Sequence, residues 1–313
     1  MTKSVRVLVP ATMGNLGPGF DCLGAALNWT SEVHLTAPAD GWSVTVEGEG
    51  ADEVPTDQSN IAVQALDRFV LAVGGNRVKP LQSGYRLTLI NRIPLARGLG
   101  SSAAARVGAL VAANLICDRP LARHQILTLA AQMEGHWDNA AAALFGGIIA
   151  VCPSDDTPLV VPLGSPENIW IALCIPSYRL ETGIARQVLP KKVPLSDAVY
   201  NLSRLAVLTA AVTTRDRSLL KWAMDDRLHQ PYRAKLVKGM RDLFEQAQRN
   251  GAMGAHLSGA GPTVAAWCPD QATAATVASA MCHSLEQKGV KCVGRWVPLR
   301  AKGVVWRWET VSR

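Results

Sequence analysis

The chain of 313 residues lacks the features that mark several large classes of protein. No segment reaches the roughly 18 consecutive apolar residues of a transmembrane helix. The first residues, Met1 to Arg6, lack the apolar core of a signal peptide, so we expect a cytoplasmic protein that does not bind a membrane. The seven cysteines form no Cys-x-x-Cys pair and no spacing typical of metal ligands, so we interpret them as buried free thiols.

The signs of a nucleic-acid-binding protein are also weak. The formal net charge is +7, but the basic residues are dispersed and their densest cluster, Lys191-Lys192, is short. Aromatic residues make up only 5% of the chain and do not alternate with basic ones as they do on RNA-binding surfaces. We therefore expect no nucleic-acid partner. The modest positive excess suits an enzyme whose substrate is a polyanion.

Composition and length favour a globular chain with two domains. The chain is 48% hydrophobic and 18% charged, and it is longer than most chains that fold around a single hydrophobic core. Residues 153–167 are rich in Pro, Ser, Asp and Gly, so we expect the domain boundary there, with domains at 1–160 and 161–313.

Apolar periodicity predicts strands that alternate with helices. Two strands surround a glycine-rich loop in the first 35 residues, and further strands are expected at 85–93, 146–152, 170–175, 263–268, 291–297 and 303–308. Helices are expected at 57–75, 102–117, 121–134, 196–213, 217–228, 235–249 and 271–288. This order favours an α+β fold, with helices on one face of largely antiparallel sheets.

The segment Gly98-Leu-Gly-Ser-Ser102 stands between a strand-like stretch and an alanine-rich helical one. A glycine-rich turn at a helix N-terminus offers unpaired backbone N–H groups and the positive end of the helix dipole, which together attract phosphate. The segment has neither the spacing and lysine of a Walker A loop nor the dinucleotide-binding fingerprint. By itself it is more typical of a turn that only serves packing.

Two further glycine-rich segments favour the phosphate interpretation. They run from Val9 to Asp21 and from Gly254 to Thr263, and each mixes glycines with Ser, Thr or Asn beside a strand-like run. Together the three segments resemble the three motifs of the GHMP kinase family, which contains galactokinase, homoserine kinase, mevalonate kinase and phosphomevalonate kinase. The stretch from Pro94 to Ala104 is similar to the ATP-binding motif of that family.

Within this family the chain is most similar to the homoserine kinase branch. The similarity rests on Asn15 to Gly24, Glu134 to Asn139 and Arg227 to Arg233, and the motifs follow one another in the family's order. It implies a two-domain GHMP kinase fold, whose N-terminal domain resembles domain 2 of ribosomal protein S5 and whose C-terminal domain is ferredoxin-like. The active site is expected between them.

The resemblance implies an ATP-dependent kinase that phosphorylates L-homoserine in threonine biosynthesis. A GHMP kinase for another small alcohol remains the alternative. The matching ATP-binding positions are Asn60, Pro94, Arg97, Gly98, Leu99, Gly100, Ser101, Ser102, Ala103, Ala104, Ser258, Gly259 and Thr263. Asn60 is expected either near the adenine or as the cap of the helix that it precedes. The third loop is expected to close over the phosphates or to brace the first loop.

The phosphates call for Mg²⁺, which prefers oxygen ligands. Ser102 and Glu134 are the expected protein ligands, since the resemblance matches Glu134 to the metal-binding glutamate of the family. The substrate carboxylate calls for arginine, whose planar fork binds it with two hydrogen bonds. Arg186 and Arg233 match the two substrate arginines of the family.

Asp21 is expected to bind the ammonium group, and Asn15 to orient the substrate from the other end of the same loop. His136, Asp138 and Asn139 lie in one predicted short loop, where His136 or Asp138 could act as a general base. The resemblance implies catalysis without a dedicated general base, because Asn139 stands where other GHMP kinases carry the aspartate base. The substrate hydroxyl would then attack the γ-phosphorus directly, with His136 and Asn139 contacting the substrate, while Asp138 as base remains the alternative.

One departure from the family pattern is Met13-Gly14, where the first motif usually has Ser and a small residue. Met13 removes a hydroxyl but leaves Asn15, Gly17 and Asp21 intact, so we expect altered packing and an unchanged reaction. ATP and L-homoserine are the expected partners of the chain. A homodimer is expected too, although the sequence does not determine the oligomeric state.

Overall fold

The computed structural model describes residues 2–154, 157–164 and 168–310. The strands are β1 (Lys3–Gly14), β2 (Leu23–Ala37), β3 (Trp42–Gly48), β4 (Tyr85–Asn91), β5 (Ile148–Cys152), β6 (Leu159–Gly164), β7 (Trp170–Pro176), β8 (Gly254–Leu257), β9 (Val264–Cys268), β10 (Cys292–Pro298) and β11 (Val305–Glu309). The helices are α1 (Ile61–Val73), α2 (Lys79–Gln82), α3 (Ser101–Ile116), α4 (Arg123–Glu134), α5 (Asp138–Phe145), α6 (Thr182–Gln187), α7 (Leu195–Thr214), α8 (Leu220–Ala223), α9 (Gln230–Arg233), α10 (Met240–Arg249) and α11 (Gln271–Glu286). Short 3₁₀ turns cover Gly75–Val78 and Arg217–Leu219.

Among the described residues the first sheet has seven strands, β1 to β6 from the first part of the chain and β11 from its end. Its main order is β11-β1-β2-β4-β3, while β5 pairs with the beginning of β2 and holds β6 on its other side. The neighbours are antiparallel except for β3 and β4, which run parallel. The register of β1 against β2 shifts between Pro10 and Thr12, just before the first glycine-rich loop.

Helix α3 is the centre of the first half. It packs on β1 and β2, and α1, α4 and α5 pack around it. Its alanines favour the helix, and Gly108 allows it to approach the sheet, since a Cβ at that position would lie 2.5 Å from Cγ2 of Val33. The expected arrangement of helices against a largely antiparallel sheet is therefore confirmed here.

The second sheet has the strand order β10-β7-β9-β8, with every neighbouring pair antiparallel. Helices α10 and α11 pack against it. This strand order and chain path are those of the ferredoxin-like β-α-β-β-α-β motif, with α6 to α10 in the first crossover. The α+β class and the ferredoxin-like second half are confirmed.

The two sheets do not divide the chain at the expected boundary. Strand β6 spans the junction between residues 160 and 161, and β11, near the end of the chain, returns to pair with β1 in the first sheet. Within the expected boundary loop, residues 155–156 and 165–167 lie outside the described part of the chain. The division into 1–160 and 161–313 stays a prediction, and β11 departs from it.

Some element boundaries differ from the prediction. The helix expected over 217–228 is wrong, because helical turns end at Ala223 and the Asp226 carboxylate accepts the backbone N–H groups of Leu228, His229 and Gln230. Helix α10 begins at Met240 and not at 235, after Gly239 in a left-handed conformation. Strands β3, β6 and β8 were missed. Among the described residues, no helix has the length and hydropathy needed to cross a membrane.

Candidate active site

The three glycine-rich segments meet at one cleft, a cavity of about 230 Å³ between the two sheets. Most of the predicted site residues line it: Asn15, Asp21, Arg97, Gly98, Gly100, Ser101, Ser102, Glu134, His136, Asp138, Asn139, Arg186, Arg233 and Gly259. Six others do not line it: Pro94, Leu99, Ala103, Ala104, Ser258 and Thr263. Residues far apart in sequence are therefore brought together as the sequence predicted.

The Gly98–Ser102 loop leads directly into α3. Gly98 and Gly100 have φ angles of 73° and 70°, which other residues rarely adopt, and Gly100 is the N-cap of the helix. A Cβ at Gly98 would lie 2.2 Å from the carbonyl oxygen of Ser258. The first turn of a helix leaves its N–H groups without partners inside the helix, so this end of α3 offers donors and positive potential to an anion.

The third glycine-rich segment holds the first two in place. Ser258 Oγ donates to the Gly98 carbonyl at 2.6 Å, and the Gly259 N–H donates to the Gly14 carbonyl at 3.1 Å. Thr263 N–H donates to the Arg97 carbonyl at 3.4 Å. Ser258 and Thr263 are fully buried, so in this structure the third loop braces the other two.

Ser102 and Glu134 form the oxygen pair that the sequence predicted for a metal. Ser102 Oγ donates to Glu134 Oε2 at 2.9 Å, and Glu134 ends α4 just before Gly135. Arg106, one turn after Ser102 on α3, also pairs with the Glu134 carboxylate, and the sequence analysis missed it. Adjacent hydroxyl and carboxylate oxygens beside the α3 N-terminus suit Mg²⁺ bound to phosphates.

His136 and Asp138 form a buried hydrogen-bonded pair, with 2.7 Å between Nδ1 and Oδ1. Asp138 also accepts the N–H groups of Asn139 at 2.8 Å and Asn15 at 3.1 Å. Burial alone would raise the pKa of Asp138, but these hydrogen bonds and the His136 charge outweigh it and lower the pKa. Burial alone would lower the pKa of His136, but the Asp138 carboxylate raises it. A carboxylate held this way is a weak proton acceptor.

Asn139 lies in the first turn of α5, and so does Asp138, which corrects the prediction that both belong to a loop with His136. Thr12 Oγ1 donates to Asn139 Oδ1 at 2.8 Å, so the amide nitrogen of Asn139 is left to donate elsewhere. Both residues are buried. Thr12 lies within the first motif but was not predicted as a site residue.

Asp21 and Arg186 bind each other. The two guanidinium nitrogens of Arg186 donate to the two carboxylate oxygens of Asp21 at 2.9 and 2.7 Å. The sequence predicted separate partners for them, a carboxylate for Arg186 and an ammonium for Asp21. An amino acid has both groups, so a zwitterion can replace this pair by binding each residue with its opposite charge.

Arg233 is 1% exposed and lies on α9. Its Nη1 donates to His229 Nδ1 and to the Gly259 carbonyl, both at 3.1 Å. His229 in turn lies 2.8 Å from the Gly17 carbonyl and 3.6 Å from Asp226. Burial, aided by the nearby charge of Arg186, lowers the pKa of Arg233 to about 10. The two arginines therefore favour an anion in the cleft.

Both guanidinium groups lie over the Phe20 ring, Arg186 at 5.6 Å and Arg233 at 5.4 Å from its centroid. Phe20 also stacks on His229. An aromatic face attracts cations, so this ring fixes the positions of two like charges that repel each other. Phe20 adjoins Asp21 in the first motif but was not predicted as a site residue.

Asn60 serves as a cap and does not line the cleft. Its side chain is fully buried, with Oδ1 accepting the Ala62 N–H at 2.8 Å and Nδ2 donating to the Pro55 carbonyl at 2.6 Å. Of the two expectations, the structure therefore supports the helix cap. The loop that Asn60 ties down, around Val54 and Pro55, borders a second cavity of about 290 Å³ that also reaches Ser101 and Ser102.

The structure shows how Met13 and Gly14, the two residues that depart from the family's first motif, are accommodated. A Cβ at Gly14 would lie 2.2 Å from Asp138 Oδ2 and 2.8 Å from Asn139 Nδ2, so only glycine fits beside that pair. Met13 is fully buried in the core under the loop. The effect of Met13 on the reaction stays a prediction.

Comparison with known proteins decides the family. The description "GHMP kinases N terminal domain" matches residues 60–147, and "GHMP kinases C terminal" matches residues 208–287. A homoserine kinase of Moorella thermoacetica is 45% identical over 286 residues, which cover 91% of this chain and 94% of that protein. The chain belongs to the GHMP kinase family. The predicted family is therefore confirmed, and so is the prediction that the chain is a kinase.

Further relatives agree with this assignment. A homoserine kinase of Thermus thermophilus is 42% identical over 264 residues, which cover 83% of this chain and 86% of that protein. The crystal structure of homoserine kinase from Cytophaga hutchinsonii superposes with a TM-score of 0.87 at 29% identity, with 97% of both chains covered. A crystal structure of mevalonate kinase has a TM-score of 0.69 at 13% identity, covering 95% of this chain and 99% of that one, and shares the fold. The two-domain GHMP kinase fold is confirmed.

Proposed function

We propose that this kinase transfers the γ-phosphoryl group of ATP to the hydroxyl of L-homoserine, giving O-phospho-L-homoserine for threonine biosynthesis. The observation that carries the proposal is the zwitterion-binding arrangement of Asp21, Arg186 and Arg233 in the same cleft as the glycine-rich end of α3. The names of the relatives that cover most of the chain support the same substrate.

ATP would bind with its phosphates at the Gly98–Ser102 loop. The N–H groups at the start of α3 would donate to the phosphate oxygens. The second cavity, bordered by Val54, Ile61 and Leu89, is more apolar and adjoins the loop at Ser101 and Ser102, so it suits the adenine and ribose. Ser258, Gly259 and Thr263 would act by keeping the loop in this shape.

Ser102 and Glu134 would hold a magnesium ion on the phosphates. When bound, Mg²⁺ offsets the negative charge of the triphosphate and of the leaving group. Both Arg106 and Ser102 pair with the Glu134 carboxylate. Arg106 would therefore keep the Glu134 carboxylate aimed at the start of α3.

The substrate would be oriented by its three polar groups. Arg233 and Arg186 would bind its carboxylate, Asp21 its ammonium, and the amides of Asn15 and Asn139 would guide the hydroxyl towards the phosphate. Asn15 is already fixed, since its Nδ2 donates to the Gly259 carbonyl at 2.8 Å and its Oδ1 accepts the Asp21 N–H at 3.0 Å. Bound this way, nucleophile and phosphate need little further reorganisation.

The hydroxyl would attack the γ-phosphorus directly. Its oxygen forms the new O–P bond while the bond from the γ-phosphorus to the leaving oxygen of ADP breaks, and the proton passes late to an oxygen of the transferred phosphoryl group. A loose transition state requires little activation of the nucleophile. The lowered pKa of Asp138, and the three hydrogen bonds that it already accepts, favour this route over a general base.

The test is ATP turnover by purified protein with Mg²⁺ and L-homoserine, mevalonate, galactose or L-threonine, with the phosphorylated product identified. We expect O-phospho-L-homoserine to be by far the main product. Faster turnover of galactose, which has no carboxylate, would leave the ATP site standing and refute the carboxylate-binding role of the arginines. Faster turnover of mevalonate, which has a carboxylate but no ammonium group, would instead refute the ammonium-binding role of Asp21. Location in the cytoplasm and a homodimeric state stay predictions.

A further inference from the structure

Three of the seven cysteines lie together although they are far from one another in sequence. Cys174 on β7, Cys282 on α11 and Cys292 on β10 have sulfur atoms that all lie within 4.8 Å of one another. The thiols of Cys174 and Cys282 are hydrogen-bonded at 3.7 Å. In the described part of the chain, no other three cysteine, histidine or acidic side chains come so close.

The fold holds these thiols on three packed elements. Strands β7 and β10 are neighbours in the second sheet, and α11 packs against both. Gly294, which pairs with Cys174 across the strands, leaves room for the helix thiol, since a Cβ there would lie 3.3 Å from Cys282 Sγ. Cys174 and Cys282 are buried while Cys292 is half-buried, so a small ion can reach the group from the side of Cys292.

The spacing of the sulfurs matches metal coordination. At a metal–sulfur bond of about 2.3 Å, two sulfurs of one ion lie roughly 3.8–4.0 Å apart in tetrahedral or trigonal geometry. The observed 3.7 Å between the sulfurs of Cys174 and Cys282 agrees with this spacing, and the sulfur of Cys292 lies within 4.8 Å of both.

We propose that Cys174, Cys282 and Cys292 form a three-thiolate site for a soft metal ion such as Cu(I) or Zn(II), separate from the catalytic cleft. Soft thiolate ligands select ions of this class, and hard ions such as Mg²⁺ prefer oxygen. Binding releases the thiol protons to solvent as each sulfur becomes a ligand.

The site can be tested with Cd²⁺ as the probe, added to the reduced, full-length protein. Thiolate-to-cadmium charge-transfer absorption should rise and saturate at one Cd²⁺ per chain. Cys292→Ser, at the half-buried position, should weaken binding at least tenfold. The matched control is Cys268→Ala, a buried cysteine of β9 outside the group, which should bind as the wild type does.

A second measurement needs no variant. Cys292 and the exposed Cys152 are alkylated in the folded wild-type protein, and the rates are compared with and without Cd²⁺. Cd²⁺ should protect Cys292 and leave Cys152 unaffected. The proposal is overturned if the wild type gives no saturable absorption, or if Cd²⁺ does not slow the alkylation of Cys292. It is also overturned if Cys292→Ser binds Cd²⁺ as tightly as the wild type, or if Cys268→Ala weakens Cd²⁺ binding as much as Cys292→Ser does.

Discussion

The Thr12 hydroxyl donates a 2.8 Å hydrogen bond to the side-chain carbonyl of Asn139 and thereby fixes which way that amide faces. Gly100 makes this contact possible, since a Cβ there would lie 1.9 Å from Thr12 Oγ1. The pair therefore links the first motif, the ATP-binding loop and the start of α5. Thr12 does not line the cleft, so it acts through Asn139.

Replacing Thr12 by valine should lower kcat by about 2- to 13-fold, the equivalent of a net hydrogen bond of about 0.5–1.5 kcal/mol. Valine keeps the shape and removes only the donor, so Asn139 loses its fixed orientation. Thr12→Ser retains the hydroxyl and should restore most of kcat. If serine and valine behave alike, packing and not the hydrogen bond is what matters at this position.

Asp138→Asn separates a positioning role from a general base. Because the Asp138 carboxylate raises the pKa of His136, the variant should lower that pKa, as an NMR titration of the imidazole would measure. We expect a higher KM for L-homoserine and a kcat loss below about 10²-fold, whereas removing a base costs about 10²–10⁴-fold.

His136→Asn is the matched variant, since it removes the same hydrogen bond from the other side. If Asp138 positions His136, both variants should show similar losses. A large loss of kcat in Asp138→Asn alone, with KM unchanged and the structure preserved, would establish Asp138 as the base.

Ser102→Ala and Glu134→Gln should raise the Mg²⁺ concentration needed for half-maximal turnover, because each removes one of the two adjacent oxygen ligands. Glu134→Gln should have the larger effect, since it also removes a negative charge. Ser101→Ala is the control, one residue earlier in the same turn. An unchanged Mg²⁺ dependence in both variants would rule out this pair as the metal site.

Arg186→Lys keeps the positive charge and loses the planar fork. The kcat/KM for L-homoserine should fall about 10- to 150-fold, as charge-assisted hydrogen bonds worth about 1.5–3 kcal/mol are lost. Turnover of 3-aminopropan-1-ol, which lacks the carboxylate, should change little. Arg227→Lys, outside the cleft, is the control and should leave kcat/KM for both substrates unchanged. If Arg186→Lys lowers kcat/KM equally for the two substrates, Arg186 does not bind the carboxylate.

Glu32 predicts a pH dependence of stability. Burial alone would raise its pKa, but hydrogen bonds from Arg6, His34 and Arg92 lower it to about 2. A lowered folded-state pKa stabilises the fold above the unfolded pKa, and this stabilisation is lost as the pH falls from about 4.3 towards 2.

Denaturant unfolding should therefore show that Glu32→Gln lowers the free energy of unfolding by about 2 kcal/mol at neutral pH. This loss is smaller than the full pKa shift would give, because Arg92 is half exposed and solvent screens its charge. The difference from the wild type should shrink at acidic pH. Glu245→Gln, in an exposed pair with Arg249, should show no such trend. A constant difference at all pH values would mean that packing, not charge, makes Glu32 important.

Part of the site followed from local sequence. The glycine-rich turn at 98 and 100 and the alanine-rich α3 were predicted, because turn and helix conformation depend on residue type at short range. The same holds for the α+β class, since strand and helix periodicities are local. The choice of Ser102, Glu134, Arg186 and Arg233 rested mainly on the family resemblance; the structure places all four in one cleft, and their roles stay predictions.

Contacts between distant segments could not be predicted from local sequence. No local pattern relates Thr12 to Asn139, or Cys174 to Cys282 and Cys292, since each pair meets only after the sheets have formed. The Asp21–Arg186 pair and the burial of Arg233 also arise only once distant segments have packed together. The sequence by itself determined which chemical groups this kinase has and the local shape of its loops. Only the tertiary structure decided which groups face one another, because hydrogen bonds, desolvation and pKa shifts depend on distances between elements that the chain order does not specify.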